Sequence, residues 1–209
     1  MRLLEHTLVD IMNIRRIFVW LYRIRFVRGF GVQSPFAFSF INDVINEHYP
    51  YYSYDELRDK DVSNHLVRQF RLFLRLANYC QPRNVLMDGR YNQIADRYVR
   101  SGCNTCHIIH FGSNNYEETL EPLLATNEDT MSIVSASDSY IDNFFNLIKT
   151  NTAHVNLCVI ADIYNSSRNK KIWRSIKSDS RVFVTFDLYD VGIVFFDSKF
   201  NKQNYIVNF

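Results

Sequence analysis

Few residues of this sequence have types and spacings that could do chemistry. Cys103-Asn104-Thr105-Cys106-His107 has the spacing of a c-type haem attachment site, and His110 adds another ligand type that zinc accepts. Haem attachment requires export, and zinc requires four ligands converging on a tetrahedron. On a strand Cys106 and His107 would face opposite sides, so two buried structural cysteines are the expected reading. His6, His48, His65 and His154 bear no spacing relation to a nucleophile or a second ligand and are expected at the surface or in caps. No nucleophile-elbow, phosphate-loop or paired-carboxylate motif is present. Two acids remain, each closing an apolar run: Asp88, followed by Gly89, and Asp162.

Those acids are positioned by a regular alternation. After Pro82 the apolar runs 84–87, 105–111, 131–134 and 155–161 read as strands, and the stretches 94–99, 116–125, 140–149 and 169–176 read as helices. Such alternation predicts a mostly parallel sheet covered on both faces. Three further strands, 182–186, 193–196 and 205–207, have no helix between them and are expected to be antiparallel. The region before Pro82 reads as helical: 8–28, stopped by Gly29 and Gly31; 36–45, started by Ser34-Pro35; and 63–79. In the last of these, Leu66, Phe70, Phe73, Leu74 and Ala77 form an apolar stripe, with Arg68, Arg71 and Arg75 across much of the other side. The chain thus divides into an N-terminal helical region, residues 1–82, and an α/β domain, residues 83–209, expected to pack as one unit.

Composition sets limits. The 209 residues suit one domain with an extension, and a net charge of +2 offers no global field toward nucleic acid. No signal-peptide pattern is evident, and the apolar run 17–22 is far too short to span a bilayer. A cytoplasmic protein with reduced thiols is expected.

The stretch 29–54, GFGVQSPFAFSFINDVINEHYPYYSY, resembles the N-terminal region of a bacterial group of class I S-adenosylmethionine methyltransferase-like proteins, which carry a Gly-Val-His-Ser-Pro-Phe motif and a Pro-Tyr-Tyr segment. The stretch 180–209 resembles that group's ending, and 159–176 its strand, acidic loop and helix. The resemblance implies a Rossmann-like sheet with S-adenosylmethionine held at the strand ends. It implies an acidic, Gly-rich turn after the first strand, so that backbone approaches the cofactor, and a carboxylate for the ribose after the second. Here the first turn reads Met87-Asp88-Gly89-Arg90-Tyr91-Asn92-Gln93, with one glycine left and Arg90 and Tyr91 adding bulk. The second strand ends at Phe111; under an alternative alignment one whole βα unit is missing. Ser135 stands where many of the group have Asp, and Tyr164 where they have His. Asp88, Gly89 and Asp162 are what survives of a cofactor site. The expected function is a methyltransferase-like protein with a degenerate site and no bound cofactor, acting by binding or assembly. The alternative is an active methyltransferase of a small molecule, using those three residues in an atypical pocket.

The N-terminal segment sets Arg2, Arg15, Arg16, Arg23, Arg25 and Arg28 among Phe18, Trp20, Tyr22 and Phe26. Packing on the domain, a homodimer or a protein partner is the favoured reading, with arginine stems covering apolar surface. An anionic membrane surface comes second, and nucleic acid last.

Overall fold

The computed structural model describes residues 17–29, 31–47, 51, 53–91, 93–126, 128–150 and 155–209. The helical expectation for 8–16 lies outside them. Residues 17–23 are the described part of α1, and Ile24–Gly29 continues as a 3-10 turn. Then come α2 (Pro35–Phe40), which passes into a π-helical turn at Ile41–Ile45, α3 (Ser53–Leu57) and α4 (Asn64–Cys80). Beyond these the strands and helices alternate: β1 (Asn84–Asp88), α5 (Gln93–Gly102), β2 (His107–Phe111), α6 (Tyr116–Leu124), β3 (Thr130–Ser135), α7 (Ile141–Thr150), β4 (Val155–Ala161) and α8 (Ser167–Ser178). The chain closes with β5 (Val184–Asp187), β6 (Val191–Phe195) and β7 (Gln203–Ile206).

Helix starts follow serine chemistry. The side chains of Ser34, Ser63 and Ser166 accept hydrogen bonds from the backbone amides of Ala37, Leu66 and Asn169, each satisfying a donor that the first turn leaves orphaned.

One seven-stranded sheet runs in the order β2-β1-β3-β4-β6-β5-β7, a Rossmann-like architecture. Strand order reverses between β1 and β3. Outside β1 there is only β2, whereas the common doubly wound order 3-2-1-4-5-6 has two strands there. This agrees with the alignment lacking one βα unit. β6 is antiparallel to both β4 and β5. β7, expected to be antiparallel, instead runs parallel to β5. Both edges of β6 are taken, so β7 adds to the outer edge of β5, its neighbour in the sheet, and two reversals of direction make the two parallel.

Alternation along the strands feeds two cores. Val85, Met87, Met131, Ile133, Val159, Phe186 and Ile193 face α2, α4 and α5, where Phe40, Phe73 and Tyr98 are fully enclosed. Leu86, Val134, Ile160 and Val194 face α6, α7 and α8, packing against Phe144 and Trp173. Close approach dictates Gly192: a Cβ there would lie 2.5 Å from the Trp173 indole.

The arginine face of α4 differs from expectation. Arg75 is buried, and its Nε and Nη2 donate to the carbonyls of Val44 (2.7 Å) and Ile45 (3.0 Å) at the end of the π turn, while Nη1 donates to Tyr54 Oη. Helix termini leave such carbonyls without partners, and a guanidinium satisfies several at once. Leu66, expected in the buried stripe, is exposed, and Leu72 and Leu76 are buried instead. α4 is enclosed on more of its circumference than a single stripe provides.

Candidate functional site

In open α/β sheets the ligand crevice lies beyond the carboxyl ends of the strands, at the point where strand order reverses. Here that point carries Asp88 at the end of β1, Ser135 at the end of β3 and Asp162 just after β4. Arg90, two residues past β1, reaches over all of them.

The Arg90 guanidinium donates to Asp88 Oδ2 through Nε (3.3 Å) and to Asp162 Oδ2 through Nη1 (3.2 Å), and its Nη2 is paired with Asp138 Oδ1. Its backbone amide also donates to Asp88 Oδ1 at 2.9 Å. Three carboxylates from three loops therefore converge on one cation. Further donors fix them. Tyr140 Oη donates to Asp88 Oδ2 at 2.9 Å, Ser135 Oγ to Asp162 Oδ2 at 2.7 Å, and the Ser135 amide to Asp138 Oδ2 at 3.3 Å. Around the rim, Asn169 Nδ2 donates to the Asp162 carbonyl and to Ser137 Oγ, and Arg168 donates to the carbonyls of Ala136 and Asp138. Asp162 adopts φ 61, a left-handed conformation that Asp tolerates better than most residues.

The electrostatics follow from crowding. Burial, together with the hydrogen bond and negative charge of Asp88, pushes the Asp138 carboxyl up to about 7. Burial also acts to raise Asp88, but hydrogen bonds from Asp138, the Arg90 amide and Tyr140, and the Arg90 charge, hold it below the ordinary range. The pair shares a proton because two adjacent carboxylates resist double ionisation. Asp138 thus binds its proton more tightly folded than unfolded, so its contribution is fully present below about pH 4 and declines as pH rises toward 7. Asp88 works in the opposite sense, its contribution being lost only as pH falls through its depressed value. Urea midpoints measured from pH 4 to 8 should show the decline in the native protein. Asp138→Asn should flatten it; an unchanged slope would place the shared proton elsewhere.

The residues expected from the sequence are brought together in part. Asp88 and Asp162 meet through Arg90. Gly89 donates its amide to the Phe111 carbonyl at 2.7 Å, and a Cβ there would sit 3.2 Å from that oxygen, so this glycine serves the close approach to β2. Of the two bulky residues, only Arg90 spans the crevice. The Tyr91 ring turns into the first core, 5.4 Å from Phe73, and burial drives its hydroxyl pKa above the ordinary value. Phe111 points into the second core and stacks on Phe144 at 5.2 Å. Asp138, Tyr140 and Asn169 were not anticipated. The available signal was one arginine after β1 facing an acid after each of β3 and β4.

The cysteine-histidine run makes no joint site. Cys103 and Cys106 are buried while His107 is exposed, and burial followed by the neighbouring Cys103 raises the Cys106 thiol to about 11. His110 instead pairs with Asp96 at 3.0 Å.

A second buried cluster fastens α1. Asp187, 1% exposed, accepts from Arg23 Nη2 (2.9 Å), Tyr164 Oη (2.7 Å) and Trp173 Nε1 (2.9 Å). Arg23 also lies 5.7 and 5.3 Å from the stacked rings of Tyr164 and Tyr189. Arg23 is buried, whereas residues 17–22, the rest of the described part of α1, are largely exposed. Among the described residues no helix is long and apolar enough to cross a membrane.

No family model matches the chain, and no curated protein matches its sequence. Among solved structures it is similar to cofactor-bound Rv0187 from MTB, at 10% identity and a TM-score of 0.50, over 78% of this chain and 96% of that one. That likeness shows a shared α/β fold. Two serine palmitoyltransferase structures, one with a PLP internal aldimine and one from S. paucimobilis with a PLP-myriocin aldimine, align at TM-scores of 0.32 and 0.30. The chain spans only 36% and 45% of their lengths, at 10% and 9% identity.

Proposed function

We propose that this chain is a methyltransferase-like protein that no longer holds S-adenosylmethionine and acts by binding or assembly. The observation that carries the reading is the bridge from Arg90 to Asp88, Asp138 and Asp162 across the strand-order reversal. The chain's own cation occupies Asp88 and Asp162, the two acids that survive of a cofactor site. The single glycine of the turn is committed to β2, and the second strand ends in a core phenylalanine. The residues present do not fit the cofactor.

Calorimetric and thermal-shift titration with S-adenosylmethionine tests this. No heat and no shift are expected at millimolar concentrations. A site saturated at a hundredfold its Kd would stabilise the fold by about 2.7 kcal/mol, and such a shift would return the chain to the active methyltransferases.

A further inference from the structure

Asn64, Arg68, Arg71 and Arg75 recur along α4 at the three- and four-residue spacing that puts side chains on one helix face. That face lines a cavity of about 480 Å³, a size that suits a small molecule. The π turn and the two residues after it add Ile45, Asn46 and Glu47, while Tyr54 of α3 and Arg58 just beyond it complete the polar lining. Arg75 ties the π turn to α4 through the Val44 and Ile45 carbonyls, and the Arg71 guanidinium rests 4.5 Å from the Tyr54 ring. Groups ordered in advance lose little freedom when a ligand arrives.

The charges of the lining residues do not cancel. Arg68 lies 4.4 Å from the Phe209 ring and has a partner of its own, so it is not counted. Arg58, Arg71 and Arg75 then share one carboxylate, Glu47, which itself accepts from Tyr51 Oη at 3.5 Å. Arg75 donates to carbonyls and a phenol, and Arg58 Nη2 donates to Asn64 Oδ1 at 3.1 Å, all neutral acceptors that leave the positive charge in place. Three arginines against one glutamate match a phosphate monoester, which carries about −1.5 to −2 at pH 7, better than a single carboxylate.

The hydrogen-bond donors point the same way. Arg71 Nε and Asn46 Nδ2, both on residues that line the cavity, are buried without an acceptor, and such atoms in native proteins call for a ligand, an ion or water. Neither atom is open to solvent as it stands. Each meets a ligand through a turn of its side chain, which breaks no hydrogen bond at that atom. Tyr54 Oη accepts from Arg75 Nη1 and so has its own proton to give. Paired guanidinium donors suit phosphate oxygens. A bare phosphate fills only part of the cavity, and Glu47 can accept from hydroxyl groups while repelling a second phosphate.

We propose that this cavity binds a small hydroxylated phosphate monoester, its phosphate on Arg71, Arg58 and Asn46 and a hydroxyl on Glu47. No residue of the Arg90 crevice lines it, so the site stands whether or not that crevice holds S-adenosylmethionine. Isothermal titration of the full chain with glycerol 3-phosphate tests it, with inorganic phosphate, sulfate and glycerol as comparators. Glycerol 3-phosphate is expected to bind roughly tenfold more tightly than either inorganic ion, and glycerol not at all. Arg71→Gln should weaken binding roughly tenfold or more, by loss of a charge-assisted fork. Arg58→Ala, at an exposed position, should weaken it several-fold without touching a core. Glu47→Gln should narrow the preference for glycerol 3-phosphate over inorganic phosphate. Circular dichroism checks that Arg71→Gln stays folded; if it does not, Arg58→Ala decides. Equal affinity for glycerol 3-phosphate and sulfate, affinity unchanged by the arginine substitutions, or no binding at millimolar glycerol 3-phosphate overturns the proposal.

Discussion

Asp187→Ala is expected to cost about 3–5 kcal/mol, because it removes the acceptor shared by Arg23, Tyr164 and Trp173 and leaves a buried guanidinium uncompensated. A loss of that size is a large share of the stability of a domain. Before global unfolding, the change should act on α1, where Arg23 is the buried residue among the described ones. Urea unfolding followed by tryptophan fluorescence reads both effects, since Trp173 Nε1 bonds the missing carboxylate and Trp20 lies on α1. Arg23→Met, which removes the cation but keeps an apolar stem, should cost less, because Tyr164 and Trp173 still satisfy the carboxylate. Equal losses from the two variants would mean that the cluster acts through packing alone.

Arg90→Ala is expected to lower stability by roughly 1–3 kcal/mol at pH 8, and by less at pH 5. The magnitude is held below that of a fully buried pair because the Arg90 side chain is 35% exposed and water screens it. The pH dependence arises because Asp138, whose pKa is raised to about 7, takes up a proton as pH falls and so relieves repulsion from Asp88. Arg90→Lys should recover only part of the loss: an ammonium is a point charge and cannot reach three carboxylates from one planar fork. Denaturation midpoints for the three proteins at the two pH values decide this. An Arg90→Ala variant that gained S-adenosylmethionine binding would show the bridge to be the barrier.

Much of this architecture was legible in the pattern of residues. The run 155–161 forms β4 over those same limits, and Ser34 and Ser63 cap helices as their types demand. Periodicity records which face of an element is buried, so the two cores could be anticipated. It does not record strand direction, and the parallel pairing of β7 follows from which sheet edge remained free. Nor does it record how far a helix is enclosed, which is why Arg75 reads as a surface residue and proves to be an internal donor to the π turn. The candidate site was half visible. Asp88 and Asp162 stand at strand ends, where chemistry is sought. Asp138 lies in a turn, placed by the Ser135 amide, and neither that placement nor the reach of Arg90 is written in spacing.

The tie between Arg23 and Asp187 joins positions 164 residues apart. On a ribosome adding about 5–20 residues per second, α1 waits roughly 8–33 s before its anchor exists. During that interval Phe18, Trp20, Leu21 and Tyr22 have no aspartate to hold the helix in place. A helix made well before the sheet is among the last elements secured, and a chain stalled before β5 presents an unanchored apolar segment to whatever chaperone or surface is nearest.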